Sequence, residues 1–296
     1  MAGRIVTVFG GTGFLGGAIV ERLLGDGWQV RSVARHAVTG ERGGVAGIAA
    51  DITDPAAVAD AIAGAQAVVN AVSLYRERAG ASFDAVHVEA AAGLARAAGA
   101  AGVRKLVHVS GIGADPASAS RYVAARGAGE VAVRAALPAA VILRPGVLFG
   151  PDDAFLSTLD AVTRLPVVPL FGSGRTRLQP VHVADVAAAV ARVIGDAAPP
   201  ARLYELGGAE VLEYRRIVEL VLQHRGRRRP LLPVPFAAWR ALAAVAGLLP
   251  GPPLTRDQVI LMQRDNVAAP AVAGFAALGI EARGLSAGLA EALAGH

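Results

Sequence analysis

The sequence predicts an α/β protein, with a Rossmann-like, doubly wound parallel sheet followed by a smaller, mostly helical C-terminal region. Three observations carry this. Short apolar runs of strand length alternate with segments of helical periodicity from Ile5 to Leu143. The first run, Ile5, Val6, Val8 and Phe9, is nearly continuous, as a strand buried on both faces of a parallel sheet requires. It stops at glycines: Gly11, Gly13 and Gly16 match G-x-G-x-x-G, and Leu15, Ile19, Val20, Leu23 and Leu24 then recur at helical spacing until Gly25-Asp26-Gly27. A glycine turn between strand and helix lets backbone approach a pyrophosphate and aims the unpaired N–H groups of the helix start at its charge. Gly10, Gly11, Thr12, Gly13, Phe14, Leu15 and Gly16 are therefore candidate dinucleotide contacts. In a chain with 36 glycines, the plain alternative is a tight turn without a ligand.

The remaining elements follow in order. Trp28 to Arg35 reads as a second strand, with Val30 and Val33 inside. About twenty residues after the glycines, a dinucleotide fold often places an acid on the adenosine ribose. Here Ala34-Arg35-His36 offers a cation instead, suited to a 2′-phosphate and equally to solvent. Val45 to Ala50 is a third strand that delivers Asp51 and Ile52; the Asp51 carboxylate is placed either to accept from an adenine amino group or to cap its own loop. A capped helix starts at Asp54-Pro55. Ala67 to Ala71 is a fourth strand, closed by Asn70, Ala71 and Val72. Phe83 to Ala101 is one long helix, and Lys105 to Val109 is a fifth strand delivering Ser110 and Gly111. A helix from Ser120 to about Ala136 carries Tyr122 and Arg126 one turn apart on one face. A tyrosine ionises near pH ~10 unless a cation favours the phenolate, and a nearby serine can hold a reacting carbonyl oxygen, so Ser110, Tyr122 and Arg126 form a candidate catalytic set. The plain alternative is a helix-start tyrosine beside a surface arginine. Ala139 to Leu143 is a sixth strand, broken by Arg144-Pro145-Gly146; Pro145, Gly146 and Val147 complete the candidate cofactor contacts.

The nucleotide-binding part is expected to span 1–150 and the C-terminal region 151–296, with the chain re-entering the first part at about 179–195. Gln179 to Val183 reads as a strand, Asp185 to Ile194 as a helix, Leu203 to Leu206 as a strand and Tyr214 to His224 as a helix. His224 to Pro230 is the strongest charge run, with Arg225, Arg227, Arg228 and Arg229. A proline-rich LLPVPF follows, then a helix with Phe236, Trp239, Leu242, Val245 and Leu249 three or four residues apart. A basic cluster beside such a stripe suits an anionic membrane surface or a membrane-bound partner, whereas a stripe of this spacing also suits the protein's own core.

Composition narrows the function classes. Charged residues are 18% and hydrophobic residues 54%, the latter largely alanine, and no run of about eighteen apolar residues is present, so no membrane span is expected. No N-terminal targeting pattern is recognisable, which predicts a cytoplasmic protein. Zero cysteines exclude disulfides and thiolate metal sites, and the six histidines are scattered, so no metal is expected. The net charge of +5 suits an anionic ligand, without a recognition helix or aromatic-basic stripe for nucleic acid.

Across nearly the whole chain, FGGTGFLG, VNAV, HVSG, Tyr122 with a basic residue four on, ILRPGVLFGP and QPVHVADVA resemble an extended or atypical short-chain dehydrogenase/reductase. VSGIGAD, SRYVAARGAGE, PDDAFL, and above all LTRDQVILMQRDNVAAP with GFAALGI, resemble the nucleotide-binding accessory subunit of respiratory complex I and its bacterial relatives. That resemblance implies a Rossmann-like fold, a tightly held NADPH and, in the mitochondrial case, a structural role in the complex. Active members of the superfamily carry lysine where this chain has Arg126, and a planar guanidinium does not replace a compact ammonium that must touch both ribose hydroxyls. Two readings result: an NADPH-holding assembly protein, or an active NADP-dependent oxidoreductase or epimerase using Ser110, Tyr122 and Arg126.

Overall fold

The computed structural model describes residues 4–37, 40–77, 80–196, 199–247 and 254–294. In chain order its elements begin with β1 (Ile5–Phe9), α1 (Phe14–Gly25), β2 (Gln29–Ala34), β3 (Gly40–Arg42), β4 (Val45–Ala49), α2 (Pro55–Ile62) and β5 (Ala67–Asn70). A π-helical stretch, Asp84–Ala90, leads into α3 (Ala91–Ala100), followed by β6 (Lys105–Val109), α4 (Arg121–Ala136), β7 (Val141–Pro145), β8 (Leu148–Phe149) and α5 (Ala154–Val162). Then come β9 (Val168–Phe171), β10 (Arg177–Leu178), β11 (Val181–His182), α6 (Val183–Gly195), β12 (Leu203–Leu206), β13 (Leu212–Glu213) and α7 (Tyr214–His224). The chain ends with β14 (Leu231–Val234), α8 (Phe236–Ala246), α9 (Arg256–Leu261) and α10 (Leu285–Leu293).

Eight strands form one sheet in the order β12-β7-β6-β5-β1-β2-β4-β3, and only the short β3 runs antiparallel to its neighbour. The chain grows outward from β1 to β2 and β4, then crosses to β5 and continues to β6, β7 and β12. This reversal is the switch point at which a doubly wound sheet opens a crevice for ligands. Alternation along each strand divides the core in two. Val6, Val8, Val30, Val69 and Val107 face α1 and α6, whereas Phe9, Val68, Leu106 and Ile142 face α2, α3 and α4. A third cluster, including Phe149, Leu156, Leu170, Ile217, Val221 and Leu289, forms the core of the C-terminal part.

Local chemistry explains the helix starts. Asp54 accepts from Ala56 and Ala57 N–H with Pro55 in the first turn of α2, and Ser120 caps α4 by accepting from Val123 N–H. Several expectations need correction. The expected helical stretch over 83–101 is continuous, but its first part, Asp84–Ala90, is π-helical, with His87 turned to the Leu74 backbone. The sixth strand runs through Arg144 to Pro145 rather than breaking there, because Arg144 is held between Glu130 and Glu205. The expected strand over 179–183 is only Val181–His182, paired with β8, and α6 starts at Val183. LLPVPF contains a strand, β14, parallel to β9; prolines are tolerated in this two-stranded ribbon because its outer edge needs no donor.

The basic segment and the apolar stripe differ most from expectation. Arg225 Nε and Arg227 Nη1 turn inward to the buried Asp160 carboxylate at 2.9 and 2.8 Å, and Arg164, in the turn just after α5, reaches it at 2.9 Å. Burial alone would raise the Asp160 pKa, and the hydrogen bonds from Arg164, Arg225 and Arg227 more than reverse this. Only Arg228 and Arg229 of the four are exposed. Along α8, steps of three residues fall about 60° short of a full turn. The stripe therefore winds off the core: Phe236 and Trp239 are half-buried, while Leu242 and Val245 are exposed. Trp239 Nε1 donates to Leu170 O at 3.0 Å and its ring meets Phe171, so this end of the stripe packs on β9. Leu249 lies outside the described residues. Among the described residues no helix is long and apolar enough to cross a membrane.

Candidate functional site

Because all but one strand of the large sheet are parallel, their carboxyl ends share an edge, and the candidate residues are arrayed along it. From β7 to β4 the sequence on that edge is Pro145, Gly146 and Val147, then Ser110, then Ala71 and Val72, then the glycine loop, then Arg35 and His36, then Asp51 and Ile52. From β6 to β4 is four strand spacings, roughly 19 Å, a length scale suited to an extended dinucleotide.

The centre of the line is the glycine loop. Gly10 has φ +79°, a conformation that side chains disfavour, and a Cβ there would lie 2.9 Å from the Ala71 carbonyl. A Cβ on Gly16 would lie 1.9 Å from Gly10 O, so α1 can approach the loop only with glycine at this position. The steric demand thus falls on Gly10 and Gly16 and also on Gly11, where a Cβ would lie 2.4 Å from Ser32 Oγ; of the three, Gly10 alone stands outside G-x-G-x-x-G. Gly13 is the N-cap of α1, with no side-chain cap and no acid in the first turn. The first-turn N–H groups therefore face outward from a positive helix end, where Thr12, Gly13 and Phe14 are exposed. A pyrophosphate fits this cradle.

At one end of the line, Arg35 and His36 are exposed, and Arg35 is close enough to Asp51 to favour its carboxylate. Most of the lowering of the Asp51 pKa comes from Thr53, whose N–H and hydroxyl donate to Oδ1 at 2.9 and 2.8 Å. One Asp51 oxygen thus caps its own loop.

At the other end, Tyr122 is buried in an aromatic nest of Tyr75, Phe83 and His87, with ring centroids 5.6 to 5.7 Å away. Arg126 Nη1 donates to Tyr122 Oη, and the Arg126 guanidinium carbon is 3.4 Å from where a Cβ on Gly111 would stand. The structure therefore brings Arg126 against both Tyr122 and the turn that carries Ser110. Ser110 Oγ is buried without a hydrogen-bond partner among the described residues. Behind this group, Asn70 holds the turn of β5: its Oδ1 accepts from Val72 N–H at 3.1 Å and its Nδ2 meets His108 Nδ1 at 3.2 Å. Burial, reinforced by Arg126, pushes His87 down to about 4 and His108 down to about 3, so both imidazoles are neutral near pH ~7.

Two contributors escaped sequence reasoning, both from the C-terminal motif. Asp257, in the first turn of α9, accepts from the hydroxyl of Ser120, the cap of the Tyr122 helix. Asn266 donates from Nδ2 to Ile112 O at 3.2 Å, two residues beyond Ser110. Their signal lay in the motif LTRDQVILMQRDN, which marks a resemblance but gives no reason to place either side chain here. Among the described residues no group of three or more His, Asp or Glu is placed to hold a metal.

A family model described as "NAD dependent epimerase/dehydratase family" matches residues 6–207. The chain is 34% identical over 255 residues to the Arabidopsis thaliana protein "NADH dehydrogenase [ubiquinone] 1 alpha subcomplex subunit 9, mitochondrial", covering 82% of this chain and 63% of that protein. It is 36% identical over 189 residues to "Ceramide reductase" of Caulobacter vibrioides, covering 62% of this chain and 59% of that protein. The chain thus spans about three fifths of the length of each relative. Among solved structures it resembles the Thermus thermophilus UDP-glucose 4-epimerase in complex with NAD, with a TM-score of 0.62 and 23% identity over 78% of this chain and 86% of that one. With the family match extending from β1 through β12 and the glycine cradle at its expected place, the chain belongs to the NAD dependent epimerase/dehydratase family.

Proposed function

We propose that this protein holds NADP(H) chiefly as a structural ligand and docks on a larger membrane-associated assembly at the cytoplasmic face. The observation that carries the nucleotide part is the uncapped start of α1 behind a loop that only glycine can form. Arg35, exposed at the end of β2 where an acid would otherwise face the ribose, supports the 2′-phosphate form. When bound, the dinucleotide supplies hydride chemistry and also stabilises the fold by mass action.

Docking is supported by the similarity to a mitochondrial NADH dehydrogenase subunit and by the surface after α7. There an open cleft of about 930 Å³ runs from α7 to β14, lined by Arg215, Arg227, Arg228 and Arg229 with one acid, Glu219, and Leu232, Leu242 and Val245 are exposed on the strand and helix that follow. A basic rim beside apolar side chains suits an interface with anionic lipid or a membrane-bound partner. Purification from native membranes under mild conditions tests both parts. Retained NADP(H) and co-purifying membrane-complex chains are expected; a nucleotide-free protein without partners would overturn the proposal. In vesicle flotation, Arg228→Glu with Arg229→Glu is expected to reduce recovery, whereas Arg225 and Arg227 serve the fold.

The buried, unpartnered Ser110 Oγ favours a second reading, an active reductase or epimerase. In it Ser110 orients a carbonyl, Tyr122 moves the proton and Arg126 fixes the Tyr122 hydroxyl. Turnover that Tyr122→Phe abolishes would establish this reading and reject a purely structural role.

A further inference from the structure

Asn266 is anchored at three points. Its N–H donates to Arg177 O at 2.8 Å, its carbonyl accepts from Gln179 N–H at 2.9 Å, and its Nδ2 donates to Ile112 O. The last bond fixes which end of the amide is which, because a carbonyl oxygen can pair only with the amide nitrogen. The other end, Oδ1, is buried and has no hydrogen-bond partner among the described residues. It lies 3.4 Å from where a Cβ on Gly146 would stand, at the carboxyl end of β7. Ile112, which Asn266 holds, donates its N–H to Pro145 O and stands two residues after Ser110, whose Oγ is also buried and unpartnered. An unpaired hydroxyl and an unpaired amide oxygen thus flank the ends of β6 and β7. Buried polar atoms are paired in almost all folded proteins, and each exception calls for a specific cause, such as a catalytic role or a bound water, ion or ligand.

We propose that Asn266 is a ligand-binding residue, and that Ser110 Oγ and Asn266 Oδ1 together form a subsite for an uncharged carbonyl compound bearing a hydroxyl or amide N–H beside the carbonyl. Ser110 donates to the carbonyl oxygen, and Asn266 accepts from the neighbouring donor. A simple ketone satisfies only the first of these groups and leaves Asn266 Oδ1 unpaired. An acid in place of the donor is repelled, since Oδ1 offers only an acceptor. The proposal rests on the reading that a dinucleotide lies along the glycine loop beside this subsite.

The test uses saturation-transfer NMR on the full chain loaded with NADP⁺, with hydroxyacetone and butanone as probes of nearly equal size. Hydroxyacetone is expected to bind roughly five- to tenfold tighter than butanone, the range one neutral hydrogen bond supplies. Asn266→Ala is expected to remove that preference, and Ser110→Ala to weaken both probes together. Equal binding of the two probes by the wild type would overturn the proposal without depending on whether any variant folds; it is also the outcome if the nicotinamide carboxamide occupies Asn266 Oδ1. A preference that survives in Asn266→Ala would overturn it as well. An NADPH titration of the wild type separates the two levels: absent NADPH binding refutes the nucleotide reading, whereas NADPH binding without probe discrimination refutes only the role of Asn266.

Discussion

Replacing Arg144 by methionine should destabilise the protein far more than loss of a surface ion pair. Arg144 donates to both Glu130 oxygens, through Nε at 2.9 and 3.2 Å and Nη2 at 2.7 Å, and through Nη1 to Glu205 Oε1 at 3.1 Å. The two glutamate side chains are 2% and 7% exposed, so Arg144→Met leaves two carboxylates facing one another away from water. Among the described residues Glu130 would keep the half-exposed Arg134, 3.8 Å away, and the more distant charge of Arg126, and Glu205 the N–H of Ala269 at 2.8 Å. Removing one partner from a buried ionic group costs about 3–5 kcal/mol, a large part of a typical stability of about 5–15 kcal/mol. Urea unfolding followed by circular dichroism at pH ~7.5 measures it. Adding Glu130→Gln and Glu205→Gln to Arg144→Met should recover most of the loss, because the penalty belongs to the abandoned charges. A loss below about 1 kcal/mol, the size of an exposed pair, would refute the reasoning. So would an equal loss in the triple variant, which would assign the effect to packing.

Gly16→Ala places a methyl 1.9 Å from Gly10 O, and we expect it to abolish NADPH binding in a fluorescence titration and to lower the melting temperature; binding within about twofold of wild type would contradict the cradle. Arg35→Asp should weaken NADPH by about tenfold or more while leaving NADH little changed, as expected for a charge-assisted contact to phosphate; equal NADPH and NADH affinities in the wild type would remove the assignment. His87 and His108 are depressed to about 4 and about 3, so as pH falls below ~6.5 the unfolded chain takes up protons that the folded one refuses, and stability drops until the folded values are reached. At about 1.4 kcal/mol per pH unit per group, these two groups should make urea unfolding at pH 7 and pH 5 differ by about 4 kcal/mol, a contribution that His87→Gln with His108→Gln should remove, leaving the smaller one of His182, whose pKa burial also lowers.

Elements built from near neighbours were legible in the sequence. The run from Ile5 to Phe9, the glycines, and the periodicity of Leu15, Ile19 and Leu23 sit within one strand–turn–helix unit, and that unit is where they were expected. What escaped is decided by partners far away in the chain. Arg225 and Arg227 belong to a cationic run until Asp160, about 65 residues earlier, takes them inward. Asp257 reaches Ser120 across 137 residues and Asn266 reaches Ile112 across 154, and no periodicity records such pairings. Gly10 stands among the candidate dinucleotide contacts, but its steric demand comes from Ala71, just beyond the end of β5, which the local sequence does not show.

The position of α6 bears on how this chain is made. The inner face of α1, with Ile19 and Leu23, packs in one core with Val186, Val190 and Ile194 of α6 and with Phe275 and Leu278, near the end of the chain. The edge strand β12 likewise joins the sheet only after the first elements of the C-terminal part have been synthesised. During translation, a chain emerged as far as β8 would therefore carry a glycine loop and every strand of the large sheet except β12, with one apolar flank still exposed to water. Such a nascent intermediate is prone to aggregate and must be shielded until Phe275 and Leu278 leave the ribosome. A truncation that removes Phe275 and Leu278 should thus destabilise the flank of α1 that supports the glycine loop.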